Sequence, residues 1–95
     1  MALPEDIIAK VRKDFSEDDG IPILQLLSEY QQKHPDHSPR ILRCIVFCAQ
    51  GSFEKFAEAV ALAELDWRDL IGSAEYDGWL GEEHHVRNFN SPFVA

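Results

Sequence analysis

The sequence predicts an all-α fold: about five helices packed around a central hydrophobic helix, with an extended, partly docked C-terminal tail. Three observations predict it. Apolar residues recur at spacings of three and four through most of residues 1–78, the period of a helix that buries one face. No run of four or more residues alternates in the two-residue period of a half-buried strand. Prolines, glycines and short polar residues punctuate the periodic runs where helices start and stop.

The first run follows Pro4. Glu5 and Asp6 supply acids to a first turn, and Ile7, Ile8, Val11 and Phe15 continue the stripe, giving a helix near 4–15. The stretch Ser16-Glu17-Asp18-Asp19-Gly20 interrupts the pattern, and Pro22 opens a second helix through Ile23, Leu24, Leu26, Leu27 and Tyr30. That helix stops at Pro35. Ser38-Pro39 reads as an N-cap followed by proline in the first helical position, and Gly51 as the residue just past the far end. Between them Ile41, Leu42, Cys44, Ile45, Val46, Phe47, Cys48 and Ala49 are apolar on nearly every side, which predicts a helix buried on more than one face.

Ser52 caps a fourth helix with Phe53, Phe56, Ala57, Val60, Ala61 and Ala63 along one face. Asp66 reads as the cap of a fifth, whose stripe is Trp67, Leu70, Ile71 and Ala74 and whose end is Gly78. The chain thus divides into one helical domain, 1–78, and a tail, 79–95, too rich in Trp79, Leu80, Val86, Phe89, Phe93 and Val94 to be a disordered end. The tail is expected to dock on the body or on a second copy of the chain.

The 95 residues leave room for one core, and 45% hydrophobic content supports it. The longest apolar stretch falls short of the roughly 20 residues a spanning helix needs, so no membrane partner is expected. The N-terminus lacks a basic region followed by an apolar one, and two cysteines do not make a disulfide scaffold, so a reducing cytoplasm is the expected location.

Charge excludes another class. Nine Lys and Arg against seventeen Asp and Glu leave a net charge of −8. Residues 52–78 carry seven acids and two bases, whereas 39–51 carry Arg40 and Arg43 and no acid. Nucleic-acid binders gather basic side chains against phosphate, so no nucleic-acid partner is expected. The helix–turn–helix look of 53–77 does not alter this, because Arg68 stands among Asp66, Asp69, Glu75 and Asp77 and Trp67 is expected in the core.

Cys44, Cys48, His84 and His85 are residue types that hold zinc, but their spacing matches no zinc signature and both cysteines lie on an apolar stripe, so no metal and no cofactor are expected. No catalytic set emerges. Glu54 and Glu58 flank Lys55 as a solvated face, the cysteines lack an activating neighbour, and the glycines do not form a phosphate loop. Arg40 and Arg43, three apart, share a helix side and present a candidate anion site. The competing and stronger reading pairs them with the acids of the fourth and fifth helices.

The stretches Arg43-Cys44-Ile45-Val46-Phe47, Gly51-Ser52-Phe53-Glu54-Lys55, Leu65-Asp66-Trp67-Arg68-Asp69 and Ala74-Glu75-Tyr76-Asp77 carry a resemblance. Over roughly residues 22–78 the chain resembles small bacterial all-helical proteins of unassigned role. The resemblance implies a bacterial origin and a helical fold, and brings no activity, cofactor or site.

These readings lead to a small acidic protein-interaction module: an adaptor, or an immunity- or inhibitor-like binder of a basic protein. Its expected contact residues are Glu54, Glu58, Glu64, Asp69, Glu75, Asp77, Trp79, Phe89 and Phe93. The alternative is a small enzyme or ligand-binding protein with its site between the tail and the third helix, where Arg40, Arg43, His84 or His85 would converge. A homodimer with no other task is the third expectation.

Overall fold

The computed structural model describes residues 3–37, 39–79 and 82–93. Four α-helices account for most of them: α1 (Glu5–Asp14), α2 (Glu17–Lys33), α3 (Arg40–Ala49) and α4 (Phe53–Glu75). A short 3-10 turn, Pro35–His37, links α2 to α3. After α4 the strands β1 (Tyr76–Trp79) and β2 (Glu82–His85) pair antiparallel, with Tyr76 opposite His85 and Trp79 opposite Glu82. Among the described residues no helix is long and apolar enough to cross a membrane.

The helix end expected at Gly78 gives way to β1, since α4 stops at Glu75 and the chain is extended from Tyr76. Two further departures from the sequence expectation each have a local reason. α2 begins at Glu17, five residues before Pro22, because the Ser16 hydroxyl accepts from the Asp19 amide and caps the helix there. The acids Glu17, Asp18 and Asp19, read as a break, occupy the first turn, where the helix dipole favours them. Pro22 lies inside the helix, within its first two turns. The expected fourth and fifth helices are the two arms of α4, which bends at Asp66 (φ −156°, ψ 92°). The Asp66 carboxylate accepts from the amides of Arg68 and Asp69, so the residue read as a cap does cap, at the non-helical kink between the two arms.

α3 carries the most buried sequence: seven of its ten residues, including Leu42, Cys44, Ile45 and Val46, are shielded from water. It runs along α4 and also touches α1 and the 3-10 turn. Ile7 and Val11 of α1, Ile23 and Leu27 of α2, and Phe56 and Leu70 of α4 complete one continuous core. Ser52 caps α4 by accepting from the Lys55 amide, as its position before an apolar run foretold. At the turn between α3 and α4, Gln50 and Gly51 both take left-handed backbone, φ 49° and 76°.

The tail returns across the body instead of trailing away. The amides of Val86 and Arg87 both donate to the Glu75 carbonyl, which turns the chain back at the end of α4. Phe89 is then buried, its ring 5.2 Å from that of Phe47 and 5.6 Å from that of Phe93. The hairpin straddles the expected boundary at residue 78, so the docked segment is joined to α4 by paired backbone.

Candidate functional site

Two carboxylates organise the region where α1, α3, α4 and the tail meet. Glu75, at the last position of α4, is 0% exposed. Arg40 donates to it side-on through Nε and Nη2, both at 2.7 Å. His85 Nε2 donates to Glu75 Oε1 at 2.7 Å, and the Phe89 amide to Oε2 at 3.3 Å. Burial alone would raise the pKa of this carboxyl; the hydrogen bonds from Arg40, His85 and Phe89 outweigh it and hold the value at about 2. Glu75 is therefore an ionised structural anchor.

Asp6 plays the corresponding part on α1. Arg43, only 4% exposed, donates to both of its oxygens at 2.9 and 3.2 Å, and the Phe93 amide donates to Oδ2 at 3.0 Å. Arg43 also donates to the Phe89 carbonyl at 3.0 Å and lies 3.4 Å from that of Asn90. One guanidinium thus ties the first helix to main-chain oxygens of the tail. Burial raises the Asp6 pKa, but the bonds from Arg43 and Phe93 win and lower it.

This arrangement corrects part of the expected contact surface. Glu75 faces inward, because Arg40, His85 and the tail amide replace its water, and Phe89 is covered by Phe47 and Phe93. Phe93 is half-buried over Asp6, with Lys10 Nζ 5.8 Å from its ring centre. Glu54, Glu58, Glu64 and Asp69 do lie in solvent. The expectations for Asp77, Trp79 and His84 fall on side chains outside the described ones. Arg40 and Arg43 share a side of α3, yet each already holds a carboxylate of its own chain, and Arg43 is sealed from solutes.

Neither cysteine is activated toward the thiolate. The Cys44 thiol is buried 3.9 Å from Glu75 Oε2; burial first, then that carboxylate, push its pKa to about 12. Burial also raises Cys48. Among the described residues no group of three or more metal-ligating side chains comes together.

A second cluster was not foreseen. At the junction of α2, the 3-10 turn and α3, the His34 and His37 rings stack at 4.9 Å, and Tyr30 Oη shares a 2.8 Å hydrogen bond with His37 Nδ1. Burial, with help from Glu64, pushes the Tyr30 pKa to about 12, so the hydroxyl keeps its proton. Trp67, expected in the core, is 37% exposed and lies 5.6 Å from the His37 ring, because the bend at Asp66 turns the second arm of α4 toward the 3-10 turn. Beside this pair a cleft of about 380 Å³ opens, walled by α3 through Arg40 and Ile41 and by the tail through Asn90. Histidines near a proline in sequence were the only hint, since the tryptophan lies thirty residues from them.

Comparisons with protein-family models, with curated proteins and with solved structures find no match to this chain.

Proposed function

We propose that the chain is a small protein-interaction module that docks the outward face of α4 on a basic surface of another protein, as an adaptor or an immunity- or inhibitor-like binder does. The observation that carries this reading is a stripe along α4. Glu54, Glu58, Ala61 and Leu65 recur at helical spacing and are all exposed, and Leu65 is 85% exposed. Among the described residues neither glutamate makes a salt bridge.

The internal ion pairs support the same reading. Arg40 and Arg43 are spent on Glu75 and Asp6, so they do not neutralise the outer face of α4. A carboxylate rim steers a cationic partner, and an exposed leucine gives the encounter an apolar anchor. The same charge disfavours nucleic acid and anionic lipid.

The test is affinity capture from the source cells with the native chain and a Glu54→Lys/Glu58→Lys/Leu65→Ser variant, at low and moderate salt. The native chain should retain a basic protein that moderate salt weakens and the variant loses. Equal recovery by both chains, or no specific recovery by either, overturns the reading.

A further inference from the structure

We infer that the cleft between Trp67 and the start of α3 is a binding site for a small zwitterion, an α-amino acid with an apolar or aromatic side chain. This site is separate from the outer stripe of α4. Its volume of about 380 Å³ lies at the small end of the range for ligand pockets.

The polar groups select the ligand class. Arg40 meets Glu75 through its Nε and Nη2 edge, which leaves Nη1 with no partner among the described residues. A guanidinium has five donors in a fixed fork, so Arg40, which lines the cleft, keeps donors for a second carboxylate. Asp36, on the 3-10 turn and also in the lining, is exposed and makes no ion pair or hydrogen bond among the described residues.

Neither charge favours a simple ion. The charge of Arg40 is already matched by buried Glu75, and the chain as a whole carries −8, so a plain anion gains little. A plain cation attracted to Asp36 would lie in the same small cleft as a guanidinium. A molecule with an ammonium for Asp36 and a carboxylate for Arg40 uses both groups and brings no net charge.

The remaining lining suits the rest of such a molecule. Trp67, Ile71 and Ile41 present apolar surface. The His37 ring is tilted 49° from the indole and forms a corner with it. That corner is preorganised, because His37 is held by Tyr30 through a hydrogen bond and by His34 through stacking.

The experiment titrates the full chain with L-phenylalanine and L-leucine while following backbone amide resonances by NMR. Phenylalaninamide, which lacks the carboxylate, and N-acetylphenylalanine, which lacks the ammonium, serve as comparisons. Saturable shifts confined to residues around 36–41, 67–71 and 90 are expected for the amino acids, with each single-charge analogue about tenfold weaker. Asp36→Asn and Trp67→Ala should each weaken binding at least about fivefold, and Asp36→Asn should leave the melting temperature nearly unchanged, since Asp36 is exposed and makes no ion pair or hydrogen bond among the described residues. No saturable shift up to about 10 mM overturns the inference. So does equal binding of either single-charge analogue, which would make the cleft a site for a simple cation or anion.

Discussion

Arg40 and Glu75, 35 positions apart in the chain, meet edge to edge with both nitrogen–oxygen distances at 2.7 Å. The pair sits where α3, the end of α4 and the tail converge. The carboxylate has no solvent to fall back on, so its partners decide whether the C-terminal segment stays in place.

Removing the charge of Glu75 should therefore unseat more than one contact. Glu75→Gln keeps the shape but leaves Arg40, His85 and the Phe89 amide facing a neutral group. A loss of about 3 kcal/mol is expected, near the low end for breaking a buried pair because Arg40 retains some solvent. Urea denaturation measures it; an unchanged midpoint would show that the network contributes nothing net.

Acid should act through the same residues. Burial raises the Glu75 pKa, yet hydrogen bonds from Arg40, His85 and Phe89 carry it from its ordinary 4.5 down to about 2, and Asp6 is lowered by Arg43 and Phe93. A carboxyl depressed in the folded state contributes stability above its unfolded pKa and loses it as pH falls through the folded one. Unfolding free energy, followed by urea titration at stepped pH, should fall between about pH 4.5 and 2. In Glu75→Gln that fall should be visibly shallower.

Arg43 should not be replaceable by lysine. Its fork serves both Asp6 oxygens and the Phe89 carbonyl at once, which one ammonium cannot reproduce. Arg43→Lys is expected to cost about 2 kcal/mol or more. The Phe89 and Phe93 amides should exchange with solvent faster in the variant, while those of the α3 core stay protected. Uniform acceleration across the chain would mean that Arg43 supports the whole fold and not the tail in particular.

Gly51 should resist substitution. Its φ of 76° is left-handed, and an added Cβ would stand 2.8 Å from the Asp14 carbonyl oxygen. Gly51→Ala is expected to lose about 1–3 kcal/mol through strain and that contact. Thermal melting tests this, and an unchanged transition would contradict it.

The two thiols should differ in native protein at mildly alkaline pH. Cys44, buried and with its pKa near 12, should stay unmodified by a maleimide until the chain unfolds, whereas half-buried Cys48 should react slowly. Peptide mass spectrometry after timed quenching separates the sites. Fast labelling of Cys44 would show that the α3–α4 seam opens readily.

Much of the local structure is legible along the chain. Ser52 caps α4 and Gly51 takes left-handed backbone, because a hydroxyl three residues from an amide, or a missing Cβ, acts over a single turn. The start of α2 was misplaced for an equally local reason: Pro22 drew the boundary, while the weaker signal of Ser16 before three acids marked the true one. Asp66 is legible as a cap, and its non-helical backbone kinks α4 between the two arms expected as separate helices.

By itself the sequence determined the helical class, the apolar stripes and the acidic stretch outside α3, since periodicity and composition are properties of neighbours along the chain. Tertiary structure alone decided that Glu75 and Arg43 lie inside, that Asp6 holds the tail, and that Trp67 borders a cleft. A charged side chain reads as solvated until a partner 35 or 37 positions away supplies the hydrogen bonds that replace water. That partner is set by how the helices cross, and no spacing within a helix records it.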